Sequence, residues 1–271
     1  MLNKREQLVY RLLEIFPGFL SWSTLIGAVI LSWLVPFWIG VGIVAFVIYW
    51  LCRTIYLSFH LKSGYQRMRE HEKIDWLAKL NQLSISNPQL KTVKSWQDIY
   101  HLIILPMYRE PYEIVHDTFL ALQKSDYPKD KMIVVLGCEE KVRDEVEPTA
   151  LAIEKEFGVK FFRFLVTWHP YGLPGELPGK GSNETWAVKE AKQKIIDPLG
   201  IPYENIIFSS FDIDTVVFPK YFSCLTYHYL TAPKPIRTSF QPIPLFINNI
   251  WQAPAISRVF SFSSTFWHTI N

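Results

Sequence analysis

Two aspartates separated by one residue, Asp212-Ile213-Asp214, stand directly after an apolar run and are the sharpest chemical signal in this 271-residue chain. Carboxylates spaced in this way both reach one hard cation if the backbone turns between them. Mg²⁺ or Mn²⁺ is the type such oxygen donors select, with diphosphate oxygens filling other positions. Upstream, Pro178-Gly179-Lys180-Gly181-Ser182-Asn183 combines glycines, which permit close approach of a backbone to a ligand, with a cation for phosphate in Lys180. Asn183 offers an amide to a sugar hydroxyl or to a helix start. The segment is not a P-loop, because the G-x-x-x-x-G-K-[ST] spacing is absent. Glu139 and Glu140 follow Gly137-Cys138 and suit ribose hydroxyls or a base N–H; the alternative is a solvated acidic opening to a charged helix. In Pro106-Met107-Tyr108-Arg109-Glu110, Tyr108 supplies a ring to stack on a planar base and Glu110 an acceptor for base or ribose donors. Loop packing is the plainer role for such a tyrosine.

These groups need a scaffold that carries them to one place, and the apolar periodicity supplies it. Tyr100–Leu105 reads as a buried strand ended by Pro106, and Lys131–Leu136 as a second ended by Gly137. Val159–Leu165 is expected as the third, and Asn205–Phe211, ended by Asp212, as the fourth. Helical patterns fall between them. Pro111–Lys124 carries Ile114, Val115, Phe119, Leu120 and Leu122 on one face, and Arg143–Phe157 turns Val146, Leu151, Ile153 and Phe157 inward. After a loop rich in Pro and Gly a helix runs through Ile195, and another begins near Pro219. This cadence predicts an α/β fold, a mainly parallel sheet with helices on both faces. Such sheets bind ligands beyond the carboxyl ends of their strands, where the first, second and fourth strands carry their polar groups.

Composition points to a second compartment. Hydrophobic residues make up 49% and charged residues 20%, with a formal net charge of +3, which excludes a disordered chain and a dedicated nucleic-acid binder. Cys52, Cys138 and Cys224 offer neither a disulfide framework nor a C-x-x-C metal site, and the seven histidines show no H-x-x-x-H or H-E-x-x-H pairing. No G-x-S-x-G elbow suggests a hydrolase. Between Glu14 and Arg53, 38 positions carry no Asp, Glu, Lys or Arg. One straight helix over them would be about 57 Å long at ~1.5 Å per residue, against a hydrocarbon core of ~30 Å. Pro36 divides the run. An N-terminal two-helix transmembrane hairpin is therefore expected, Phe16–Val35 and Phe37–Tyr56, reversing at Leu34–Trp38, with Trp22 and Trp50 in interfacial belts. Lys4, Arg5 and Arg11 precede it, and Arg53, Lys62, Arg67, Arg69 and Lys73 follow. Basic flanks at both ends predict a multi-pass membrane protein with its globular part in the cytoplasm. Residues 57–95 contain a mainly helical connector, whose basic part would either lie near anionic headgroups or form a solvated linker helix. Residues 239–271 read as one more strand and an interfacial or acceptor-side helix, with Trp251 and Trp267 available for packing or for stacking on sugar.

The order L-P-M-Y-R-E-P, an acidic group after the second strand, G-K-G-S-N and then D-I-D resembles the family 2 glycosyltransferases of GT-A fold. The resemblance is greatest to membrane-embedded members related to cellulose, hyaluronan and ceramide glycosyltransferases, and covers roughly Tyr100–Leu230. It implies that Tyr108 packs on the uracil of a nucleoside-diphosphate sugar and that Glu139 or Glu140 binds the base. The family more often carries Asp-Asp-Gly there, where this chain has Cys138-Glu139-Glu140. Lys180, with Asn183 beside it, would contact the donor; of the aspartates, one would face the sugar or ribose and one the Mg²⁺ or Mn²⁺. The implied partners are a UDP-sugar, the lipid bilayer and a lipid or glycan acceptor, and no nucleic acid. The implied divisions are a membrane hairpin (1–60), a helical connector (61–98), a nucleotide-sugar-binding core (99–235) and the start of an acceptor-side region (236–271). In the family a carboxylate base in a T-E-D or E-D motif, and then Q-x-x-R-W, follow the D-x-D. No Asp or Glu follows Asp214 here, so the base is expected beyond Asn271 and the chain is read as the donor-binding portion of a longer enzyme, inactive by itself. The contrasting expectation is a non-catalytic, membrane-anchored binding or scaffold protein with a degenerate nucleotide-sugar fold.

Overall fold

The computed structural model describes residues 3–177, 179–246 and 250–270, in two compact units, Met1–Met68 with Ala253–Asn271, and Arg69–Gln252.

The first unit is made of helices. α1 (Lys4–Leu34) opens with a reciprocal cap: Glu6 N donates to Asn3 Oδ1 and Asn3 N to Glu6 Oε2, both at 2.8 Å. The helix ends at Val35, which precedes a proline and is held at φ −139°, outside the helical region. Pro36 then opens α2 (Pro36–Lys73), where its missing N–H costs nothing. The break falls where the sequence put it, but both helices extend further than expected. The cap carries α1 back to Lys4, and Lys62–Lys73 is rich in Lys, Arg, Gln and Glu, good helix formers, so α2 continues past Tyr56. Neither helix buries a residue, and by length and composition both are long and apolar enough to cross a membrane. Their hydroxyls are satisfied within the helix: Ser21, Thr24, Thr54 and Ser58 each donate to the carbonyl four residues back. Within the same unit α8 (Ala255–Ile270) brings the Thr269 carbonyl onto Gly64 of α2, so closely that no Cβ would fit there. The strand expected within 239–271 is not found among the described residues, where α8 and irregular chain take its place.

The second unit holds a four-stranded parallel sheet in the order β3-β2-β1-β4, formed by β1 (Tyr100–Met107), β2 (Met132–Glu139), β3 (Arg163–His169) and β4 (Ile206–Ser210). Alternation within each apolar run feeds two layers. Ile103, Leu105, Val134 and Leu136 face the larger core with α4 (Tyr112–Lys124), α5 (Arg143–Phe157) and α7 (Tyr221–Thr231). Leu102, Ile104, Ile133 and Val135 face Ala187 and Ala191 of α6 (Lys180–Ala191) and Ile195 just beyond it. α3 (Trp76–Asn81) packs beside α7. An α/β fold with a parallel sheet flanked by helices on both faces is thus present.

Several boundaries differ from expectation. Pro106 does not end β1. Ile104 accepts from Phe211 N, so the N–H that Pro106 lacks, two residues on, would point to the same side, where the β4 ladder has already ended at Ile104↔Ser210. Gly137 lies inside β2, paired with Pro106 on one side and Thr167 on the other. β3 starts four residues later than expected, because Val159 is 88% exposed in a turn and only Phe161 of that stretch is buried. In α5 the inward residues are Val146, Ala150, Ile153 and Phe157, spaced 4, 3 and 4; Leu151 is one step off that stripe and faces solvent.

Candidate functional site

The chain passes from β1 outward to β2 and β3, then crosses back to place β4 on the other side of β1. The carboxyl ends of β1 and β4 therefore flank a topological switch point, the usual crevice of an open parallel sheet. A cleft of about 590 Å³ lies there. Tyr108, Glu110, Glu139, Lys180, Asn183, Asp212 and Asp214 all line it, so segments far apart in sequence converge. Glu140 is not among the lining residues; it opens a 3-10 turn (Glu140–Val142) and is exposed.

Asp212 and Asp214 are aimed by what lies between them. The Ile213 side chain is buried in the core, and its carbonyl accepts from Thr118 Oγ1 of α4 at 2.6 Å. Thr215 N donates to Asp212 O at 2.9 Å, closing a turn. With Ile213 pinned inward, the two flanking acids are left exposed on the cleft wall.

α6 begins at the opposite wall. No side chain caps it at Gly179, so its first turn presents backbone N–H groups and the positive end of the helix dipole. Lys180, its first residue, pairs with Asp212 and lies 3.5 Å from Glu184, which in turn accepts from Ser210 Oγ of β4 at 2.7 Å. Burial works against the Lys180 charge, but the bond to Asp212 and the pull of Glu184 outweigh it and hold the ammonium above its ordinary range. Pro178 lies outside the described residues.

Asn183 sits one turn further into α6 and is 2% exposed. Its Nδ2 donates to Gly137 O at 2.9 Å. A Cβ on Gly137 would stand 2.7 Å from Asn183 Oδ1, so this glycine is what lets α6 approach β2. The amide thus anchors the helix that carries Lys180.

At the end of β1, Glu110 Oε2 accepts from Tyr108 N at 2.7 Å and Arg109 N at 3.1 Å, curling the loop on itself. Arg109 lies over the Tyr108 ring, 5.0 Å from its centroid, and pairs with Glu145 at 2.9 Å. Beside them is a group that sequence reasoning missed. His169, 5% exposed at the end of β3, contacts Glu139 through Nδ1 at 3.0 Å and Glu176 through Nε2 at 3.1 Å. Burial opposes protonation of this imidazole, but the two carboxylates prevail and raise its pKa. The available signal was Trp168-His169-Pro170, a strand end hidden because the strand was ended at Leu165. Tyr171, with Lys141 Nζ 4.9 Å from its ring centroid, completes this side.

The donor set suits a hard cation. Two carboxylates on one turn, both lining the cleft, are the oxygen-donor type that Mg²⁺ or Mn²⁺ takes when phosphate oxygens supply the rest of its coordination. No protein-family model matches this chain, and no curated protein matches it.

Proposed function

We propose that the chain binds a nucleoside-diphosphate sugar, most naturally a UDP-sugar, in this cleft, as a membrane-anchored inverting glycosyltransferase of family 2 with the GT-A fold. The convergence of Tyr108, Glu139, Lys180, Asp212 and Asp214 on one crevice at the carboxyl ends of a parallel sheet carries this reading. Fold alone would not, since such sheets serve many chemistries. Tyr108 stacks on the base. Glu139, oriented by His169, accepts from a base N–H. The α6 N-terminus and Lys180 receive the diphosphate. Asp212 and Asp214 hold Mg²⁺ or Mn²⁺, which when bound neutralises charge on the leaving diphosphate. In an inverting transfer the acceptor oxygen bonds to the anomeric carbon as the bond to diphosphate breaks, and the acceptor proton passes to a base. The residues named here serve the donor and the leaving group.

The apolar helices α1 and α2, with basic residues on both flanks, support a multi-pass anchor with the sheet on the cytoplasmic side and a lipid or glycan acceptor near the bilayer. A second reading, a membrane-anchored binding or scaffold protein that takes the donor without transfer, is favoured by the lack of any Asp or Glu after Asp214 in this sequence to serve as base. Titration of UDP-sugars into the detergent-solubilised chain tests the proposal. Binding that requires Mn²⁺ and is lost in Asp212→Ala/Asp214→Ala is expected; binding unchanged in that variant would refute the metal assignment. UDP release separates transfer from binding alone.

A further inference from the structure

We propose that His71, Cys224 and His228 form a Zn²⁺ site, outside the nucleotide cleft and independent of it. Cys224 and His228 stand four residues apart on one face of α7, and His71 belongs to the last turn of α2. One potential ligand atom from each lies within 4.8 Å of the other two. All three side chains are half-buried, and none lines the cleft. With bonds of ~2.3 Å to sulfur and ~2.0 Å to nitrogen at tetrahedral angles, ligand atoms should stand roughly 3.3–3.5 Å apart. Closure of at most about 1.5 Å reaches that spacing, which is within the reach of side-chain rotation on a fixed backbone.

The backbone there is fixed. Lys220 Nζ, at the start of α7, donates to the carbonyls of Glu72 at 3.0 Å and Ile74 at 2.9 Å. Trp76 Nε1 donates to the His71 carbonyl at 3.1 Å. Trp76 is itself buried and borders both imidazoles, 5.3 Å from His71 and 5.4 Å from His228 between centroids. The two imidazoles stack at 5.8 Å, with their planes 29° apart. Among the described residues no hydrogen bond engages either ring or the Cys224 thiol. Within the described residues nothing competes with an ion for these three ligand atoms, which meet on a braced floor.

The donor types choose the metal. Two imidazoles and a thiol are poor ligands for Mg²⁺ or Ca²⁺, which take oxygen, and suit Zn²⁺, with water completing the tetrahedron. On binding, Cys224 releases its proton to solvent and coordinates as thiolate. The ion would clip the end of α2 to α7 within the second unit. Sequence alone could not find the site, because Cys-x-x-x-His is a common spacing and His71 lies far upstream.

Cobalt substitution of the chelator-stripped, untagged full chain in detergent tests this. One Co²⁺ per chain should bind with a thiolate-to-cobalt charge-transfer band, which carboxylates do not give, and Zn²⁺ should remove that band while Mg²⁺ does not. The band should vanish in Cys224→Ser, and His228→Gln should weaken Zn²⁺ binding at least about tenfold. Absence of the band in the wild-type chain, which needs no variant to fold, overturns the proposal. So does a band that survives Cys224→Ser, which would assign it to Cys52 or Cys138.

Discussion

Gly137→Ala is a one-methyl test of how β2 and α6 are joined. The new Cβ would lie 2.7 Å from Asn183 Oδ1 and 3.5 Å from Ala187 Cβ. The second contact is ordinary; the first is not. Asn183 is a short side chain, 2% exposed, and its amide is already bound to the Gly137 carbonyl, so it cannot swing away without breaking that bond. Overpacking costs about 1–3 kcal/mol, and loss of a buried hydrogen bond a further ~1 kcal/mol or more. A total of about 2–4 kcal/mol lowers the melting temperature by roughly 4–16 °C for a unit of this size. Differential scanning fluorimetry of the detergent-solubilised chain measures it. Asn183→Ala removes the clashing atom, so in that background Gly137→Ala should cost less than in the wild type. A melting temperature unchanged by Gly137→Ala, or equal penalties in both backgrounds, would refute the account of the helix–strand contact.

Two further outcomes follow from burial. His101 is fully buried, bonded to Thr226 Oγ1 at 2.8 Å, and burial pulls its pKa down to about 3. Its folded value is depressed, so the unfolded chain takes up a proton first, and stability falls as pH drops from about 6.5 towards 3, by about 2 kcal/mol at pH 5. Denaturant titrations at pH 7 and 5 should show this loss, reduced in His101→Gln; an equal loss in that variant would contradict the assignment. On α5, Leu151→Glu should change stability by no more than about 0.5 kcal/mol, whereas Ile153→Ala should cost about 2–5 kcal/mol, both read by thermal melts.

What the sequence made legible was the periodic part. β1 and β2 are apolar runs buried on both faces, and α4 starts directly after Pro111, so their presence and order could be read directly. Local pattern does not reach the places where tertiary contacts decide. Gly137 looked like a terminator because its reason for being glycine is Asn183, 46 residues away. The end of β3 does not show in the apolar pattern, because Thr167 and His169 are polar and yet buried, His169 between two carboxylates from other segments. Hydrophobicity alone favours Leu151 as an inward residue, but the 4-3-4 stripe selects Ala150. For the candidate site, local motifs marked residues at the ends of β1, β2 and β4 that line one cleft, but did not separate Glu139, which lines it, from Glu140, which does not.

The Lys180–Asp212 pair sets a condition on how the proposed donor and cation bind. Without ligand the two side chains satisfy each other across the cleft. A divalent cation arriving alone must take Asp212 from Lys180 and leave an ammonium beside a new positive charge. A diphosphate arriving alone must take Lys180 from Asp212 and leave a carboxylate beside new negative charge. Arriving together, each supplies the partner that the other removes, so the two ligands should bind with positive, reciprocal coupling. Both side chains are about half or more exposed, 49% and 69%, so the pair itself is worth at most ~1 kcal/mol, which is about a fivefold mutual gain. Calorimetric titration of Mn²⁺ with and without UDP should recover a factor of that order, and Lys180→Ala should remove this part of the coupling by relieving Asp212 in advance. Independent binding of the two ligands in the wild-type chain would mean that this ion pair does not gate the cleft, and that the diphosphate and the cation do not meet at these residues.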